Sequence, residues 1–95
     1  MTDRELLELA AKACGYTIRE NGTDVNGETW YWCEQIADCW NPLNDDGDAL
    51  RLAVECLGFY TLQYSAEDWE HCKHDGHAAT RRAIVRAAAE LGKVL

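Results

Sequence analysis

Three arginines within six residues, Arg81, Arg82 and Arg86, follow Thr80 in the run Ala79-Thr80-Arg81-Arg82-Ala83-Ile84-Val85-Arg86. Guanidinium forks match the paired oxygens of a phosphate, and a helix beginning just upstream adds the partial positive charge of its N-terminus. This is the chemistry of an anion site. Trp30, Trp32 and Trp40 offer flat faces for a nucleobase, and the Asn41 amide carries both a donor and an acceptor with which to read a base edge. The expected ligand-binding set is therefore Arg81, Arg82, Arg86, Trp40, Asn41 and Thr80. The opposing reading is plain: Arg82 and Arg86 solvate a helix face, Arg86 pairs with Glu90 one turn on, and the tryptophans fill the core.

Other reactive groups give weaker patterns. His71, Cys72, His74 and His77 hold imidazole and thiolate, the ligands zinc prefers, but they follow no two-by-two ligand spacing, and Cys33-x5-Cys39 is wider than a CxxC knuckle. Whether this loop binds a metal stays open, and no cofactor is expected. Placing Gly47 at the sixth position of a calcium loop puts Pro42 at the first and Ala53 at the twelfth, where oxygen ligands are required, so an EF-hand is excluded. Cys72 beside His71 and His74 is the sole nucleophile with a base nearby. Adjacent residues seldom achieve the necessary geometry, and no oxyanion element accompanies them, so a binding protein is expected rather than an enzyme.

The elements that must position these groups are legible from pattern. Thr2-Asp3-Arg4-Glu5 has the capping-box form, and Leu6, Leu9, Ala10 and Ala13 recur at helical spacing until Gly15. Tyr16 to Glu20 alternates into Asn21-Gly22, and Glu28 to Ile36 is rich in Trp and Tyr, which predicts a hairpin. Pro42 then stops a strand, Asn44 or Asp45 caps a helix, and Asp46 and Asp48 suit its positive N-terminus. Leu50, Ala53, Val54 and Leu57 are its expected apolar face, ended by Gly58. Phe59 to Tyr64 reads as a third strand, and a last helix spans about 78–91 with Ile84, Ala88 and Leu91 on one side. The expectation is a single α+β domain over residues 1–95 in the order αββαβα, a short antiparallel sheet with helices packed on it.

A chain of 95 residues with net charge −8 is globular in its balance of 47% hydrophobic to 27% charged residues. Acidity of that size argues against direct binding to nucleic acid, and the lack of a long apolar run argues against a membrane role. The charge is uneven: residues 1–72 hold four basic and fifteen acidic groups, residues 73–95 five basic and two acidic. Five scattered cysteines fit reduced thiols in a cytoplasm better than a disulfide framework. The Trp30-Tyr31-Trp32 run sends aromatics to both faces of a strand, so a homo-oligomer is expected to cover one of them.

The blocks Trp40-Asn41-Pro42-Leu43, Asp45-Asp46-Gly47-Asp48-Ala49-Leu50-Arg51-Leu52 and His77-Ala78-Ala79-Thr80-Arg81-Arg82-Ala83-Ile84-Val85-Arg86-Ala87-Ala88-Ala89-Glu90-Leu91-Gly92 resemble a family of small accessory proteins of tailed bacteriophages. The opening MTDRELLELAAKA is similar too, whereas residues 16–39 and the His/Cys loop depart from the family. The resemblance implies a counter-defence factor in the host bacterial cytoplasm that binds rather than catalyses. Its partner would be a nucleotide-type small molecule, held as by a sponge, or a host defence protein such as a CRISPR effector, met by an acidic surface.

Overall fold

The computed structural model describes residues 2–57, 72 and 75–94. Its elements run α1 (Asp3–Cys14), β1 (Ile18–Thr23), β2 (Thr29–Cys33), β3 (Asp38–Trp40), α2 (Asp46–Leu52), a π-helical turn (Ala53–Leu57) and α3 (Gly76–Lys93). The fold is α+β, as the pattern predicts, with an antiparallel sheet in the order β1-β2-β3. The expected strand at 59–64 lies outside the described residues. Among those described, the third strand instead precedes the second helix, because the stretch read as one strand from Glu28 to Ile36 turns back at Glu34–Ala37, where Ala37 takes φ 52°.

Local chemistry explains most boundaries. The Thr2 hydroxyl accepts the Glu5 amide at 3.1 Å and caps α1. Gly15 closes the helix at φ 74°, a left-handed conformation that glycine reaches without strain. Asn21-Gly22, expected at the start of the loop joining the two strands, instead sits inside β1, where the β1–β2 register shifts between Glu20 and Thr23. The reversal comes later because one Asp24 carboxylate oxygen accepts the amides of both Asn26 and Glu28, while the other takes the Trp30 indole N–H at 2.9 Å. A short acidic side chain that bonds its own following backbone holds a turn in place.

The inner sheet face, Tyr31, Cys33 and Trp40, packs on Leu6, Leu7, Ala10 and Ala11 of α1 and on Ala49 and Leu52 of α2. Ile84, Val85, Ala88 and Ala89 of α3 complete the core. Trp30 and Trp32, half-buried, point the other way and stand outside this cluster. The predicted apolar face of α2 is corrected: Leu50 and Val54 are 65% and 68% exposed, and Ala49 and Leu52 are buried instead. The rotation follows from Asp48, which must face inward to receive the Asn41 amide and carries its neighbour Ala49 and its i+4 partner Leu52 with it.

Helices α1 and α3 meet through small residues, Ala10 and Ala11 against Ala88, Ala89 and Gly92. A Cβ built on Gly92 would overlap the Leu9 carbonyl, so the absence of a side chain there lets the backbones touch. All five cysteines are free of disulfides, and no described helix is long and apolar enough to cross a membrane. Gly92→Ala is expected to destabilise the fold by about 3 kcal/mol or more, since rigid backbone has to separate to admit the methyl group. Gly47→Ala, which meets only the Asp45 carboxylate at 3.1 Å, is expected to cost much less. Urea unfolding of the two variants measures the contrast.

Candidate functional site

The β3–α2 junction places Asn41 and Asp48 back to back in the interior. Asn41, 4% exposed, donates its side-chain amide to the Thr29 carbonyl at 3.1 Å and accepts the Leu43 amide at 3.1 Å. Its own backbone N–H donates to Asp48 Oδ2 at 2.9 Å, and its carbonyl accepts the amides of Asn44 and Asp45. Asp45 then caps α2 through the Asp48 amide at 2.8 Å. Burial pushes the Asp48 carboxyl above its ordinary range, against the lowering influence of the Asn41 amide. Every polar atom of the Asn41 side chain is thus engaged by the fold.

Trp40, expected to stack on a base, is corrected to a core residue. It is fully buried with its ring edge-on to Tyr16 at 5.8 Å, because the strand alternation that exposes Cys39 turns Trp40 inward. Its indole N–H is the one buried side-chain nitrogen or oxygen without a partner among the described residues.

The arginines of α3 divide between two neighbouring helices. Arg81 donates Nε–H to the Leu43 carbonyl at 2.8 Å and its terminal nitrogen to Asp46 Oδ1 at 2.6 Å, tying α3 to the start of α2. Arg82 pairs with Asp3 Oδ1 at 3.0 Å, tying α3 to the start of α1. Both side chains are largely shielded, at 17% and 13% exposure, while their carboxylate partners stand in solvent. The N-terminus of α3, expected to attract an anion beside these arginines, is already capped: Asp75 Oδ1 accepts the amides of His77 and Ala78. Thr80 donates its hydroxyl to the Gly76 carbonyl at 2.7 Å and shares with Arg81 and Asp46 a groove of about 400 Å³ that His77, Leu50 and Ile84 also line. Arg86 lines none of the described hollows.

Two hollows join the remaining candidates. A cleft of about 530 Å³ lies between the first turn of α1, the end of the hairpin turn and the loop of Asn41–Asn44, and Tyr31 and Arg4 line it as well. A recess of about 150 Å³, walled by Arg81, Arg82 and Cys72, shares Asp3, Leu43 and Asn44 with that cleft. Asn41, Arg81 and Arg82, forty residues apart in sequence, therefore border neighbouring spaces. Three guanidiniums border these hollows, each already held by carboxylates: Arg4 by Glu8 and Glu20, Arg81 by Asp46 and Arg82 by Asp3. Tyr31 and Arg4 were not legible as site residues: alternation alone does not say which face of TWYWC turns inward.

Of the expected His/Cys loop, Cys72 is half-buried and His77 lies 3.8 Å from Asp46; His71 and His74 lie outside the described residues. No three metal-ligating groups gather among the described residues. Cys14 is pushed up to about 12 by burial, with Cys56 beside it adding to the shift, so it is a packed thiol rather than a thiolate nucleophile. Comparison with protein-family models, curated proteins and solved structures found no match to this chain.

The Arg81 hydrogen bond holds the Asp46 carboxyl below its ordinary value of 3.8. A depressed folded-state pKa contributes stability above the unfolded value that is lost as pH falls through the folded one. Asp46→Asn should therefore be less stable than wild type above pH 4, the difference vanishing toward pH 2. Urea titrations across that range check it, and a constant difference would show that the ionised pair is not its source.

Proposed function

We propose that this protein is a non-enzymatic binder of an anionic, nucleotide-type small molecule, acting as a sponge for a host immune signal. The observation that carries this reading is the convergence of Arg81, Arg82 and Asn41 on adjoining hollows. Their combined size lies in the range that holds small ligands. The adjacent guanidiniums of Arg81 and Arg82, shielded themselves but paired to solvent-exposed carboxylates, support a phosphate group, and the resemblance of the quoted blocks to phage accessory proteins supports the biological setting. In this reading the ligand phosphate displaces Asp3 from Arg82, one carboxylate exchanged for one phosphate on a guanidinium already held in place. Asn41 acts by shaping the loop, since its amide is engaged by Thr29 and Leu43.

Calorimetry against cyclic dinucleotides, linear dinucleotides and ADP-ribose derivatives tests the reading, and absence of heat with the whole panel refutes it. Arg82→Ala is expected to weaken binding by about 1.5–3 kcal/mol, the worth of a charge-assisted hydrogen bond. Asp3→Asn is expected to strengthen it, by removing the competing carboxylate.

A second reading, an inhibitor that docks its acidic surface on a basic defence effector, is favoured by the exposure of Glu5, Glu8, Glu20, Glu28 and Glu34. Capture that weakens steeply with salt, with no heat from the nucleotide panel, selects it over the first. In either case we propose a homo-oligomer, supported by Trp30 and Trp32 on the sheet face turned away from the core. Light scattering should give a multiple of the 10.7 kDa chain mass, and Trp32→Glu should return it to that mass.

A further inference from the structure

Tyr31 is 95% buried by its relative exposure of 5%, and it projects from the inner face of β2 to line the cleft beside the first turn of α1. A buried phenol normally finds a partner for its hydroxyl. Among the described residues this one has none: no group donates to it or accepts from it, although the charges of Arg4, Glu20, Glu8 and Asp3 all reach it. The acceptors and donors around it are committed elsewhere. Arg4 is held by Glu8 at 2.9 Å and by Glu20 at 2.6 Å, and the Thr2 hydroxyl exchanges hydrogen bonds with Glu5. Nor is the hydroxyl sealed in the core, because the one sealed, unpartnered side-chain oxygen or nitrogen among the described residues belongs to Trp40. The hydroxyl is therefore a hydrogen-bonding group without a partner among the described residues, on a ring that lines a polar cleft.

We infer that Tyr31 is a specificity-determining residue of that cleft, its hydroxyl hydrogen-bonding a neutral polar group of the ligand, a ribose hydroxyl or base edge, while the phosphate lies toward Arg82. The inference rests on the proposed nucleotide-type reading and adds which end of the ligand is read. A rigid ring anchored between α1 and the sheet carries its hydroxyl at little entropic cost, which makes it a better reader than a surface serine would be. A site built to hydrogen-bond a ligand hydroxyl also rejects the analogue without it, since the protein group is then left unpaired.

The test is Tyr31→Phe, which removes only the hydroxyl. Binding of ADP-ribose and of cyclic di-GMP is measured by calorimetry beside pyrophosphate, a probe with the phosphates but no sugar or base. The expected result is a loss of about tenfold in affinity for the nucleotide that wild type binds, with pyrophosphate binding unchanged and thermal stability unchanged or raised. Equal nucleotide affinity in the variant overturns the role of Tyr31 and leaves the nucleotide reading standing. Equal losses for nucleotide and pyrophosphate, or a lowered melting temperature, also overturn it, since each assigns the hydroxyl to the fold or to the phosphate. If wild type binds neither these nor any other nucleotide of the calorimetric panel, the nucleotide reading itself fails, and the role of Tyr31 with it.

Discussion

The hydrogen bond from the Asn41 amide to the buried Asp48 carboxylate is the constraint on which the rest of the molecule turns. It is made where β3 stops and α2 has not yet begun, and it forces Asp48 inward although burial opposes its charge. Once Asp48 faces the core, the helical period places Ala49 and Leu52 there too and leaves Leu50 and Val54 outside. Arg51 reaches back to Asp48 Oδ1 at 3.2 Å, so the second carboxylate oxygen is also met. A buried carboxylate persists when its oxygens have such partners, and removal of one partner would leave it exposed to the full desolvation cost.

The same junction sets the position of the cationic residues. Pro42 and Leu43 are held by the Asn41 turn, so the Leu43 carbonyl points at Arg81, and Asp46 at the start of α2 completes the fork. Arg82, one residue on, turns about 100° around the helix and meets Asp3 of α1 instead. Two adjacent arginines thus lock α3 to both other helices, and the helix starts of α1 and α2 are brought to the edge of one cleft. The motif blocks hold these ties: Arg81 joins the last block to the other two through Leu43 and Asp46, and Arg82 joins it to the opening segment through Asp3.

Close approach of α1 and α3 is the second organising feature. Alanines and Gly92 allow their backbones to touch, which shields the arginine stems from solvent and narrows the space between Asp3 and Arg82. Shielding matters for function because an ion pair with one partner in water and one against the protein is exchangeable. A guanidinium held against the protein keeps its orientation if its carboxylate leaves, which is what the proposed exchange for a phosphate requires.

The sequence by itself determined the class of the fold, the capped start and glycine stop of α1, the proline break after Trp40 and a cap for α2 at Asn44 or Asp45, of which the structure uses Asp45. Each of these depends on side chains within four residues of one another, so local chemistry settles them. It also marked Arg81, Arg82, Arg86, Trp40, Asn41 and Thr80 as candidate ligand residues, without saying which of them share a space. Only the tertiary structure decided that Trp40 is interior, that Asn41 is engaged by the backbone, that Asp46 and Asp3 hold the arginines, and that Tyr31 ends at a cleft with an unused hydroxyl. Period-two alternation divides a strand into two faces without naming the buried one, and a charge count names no partner. Both questions are answered by what packs across the chain, and for Tyr31 that is the first turn of a helix more than sixteen residues upstream.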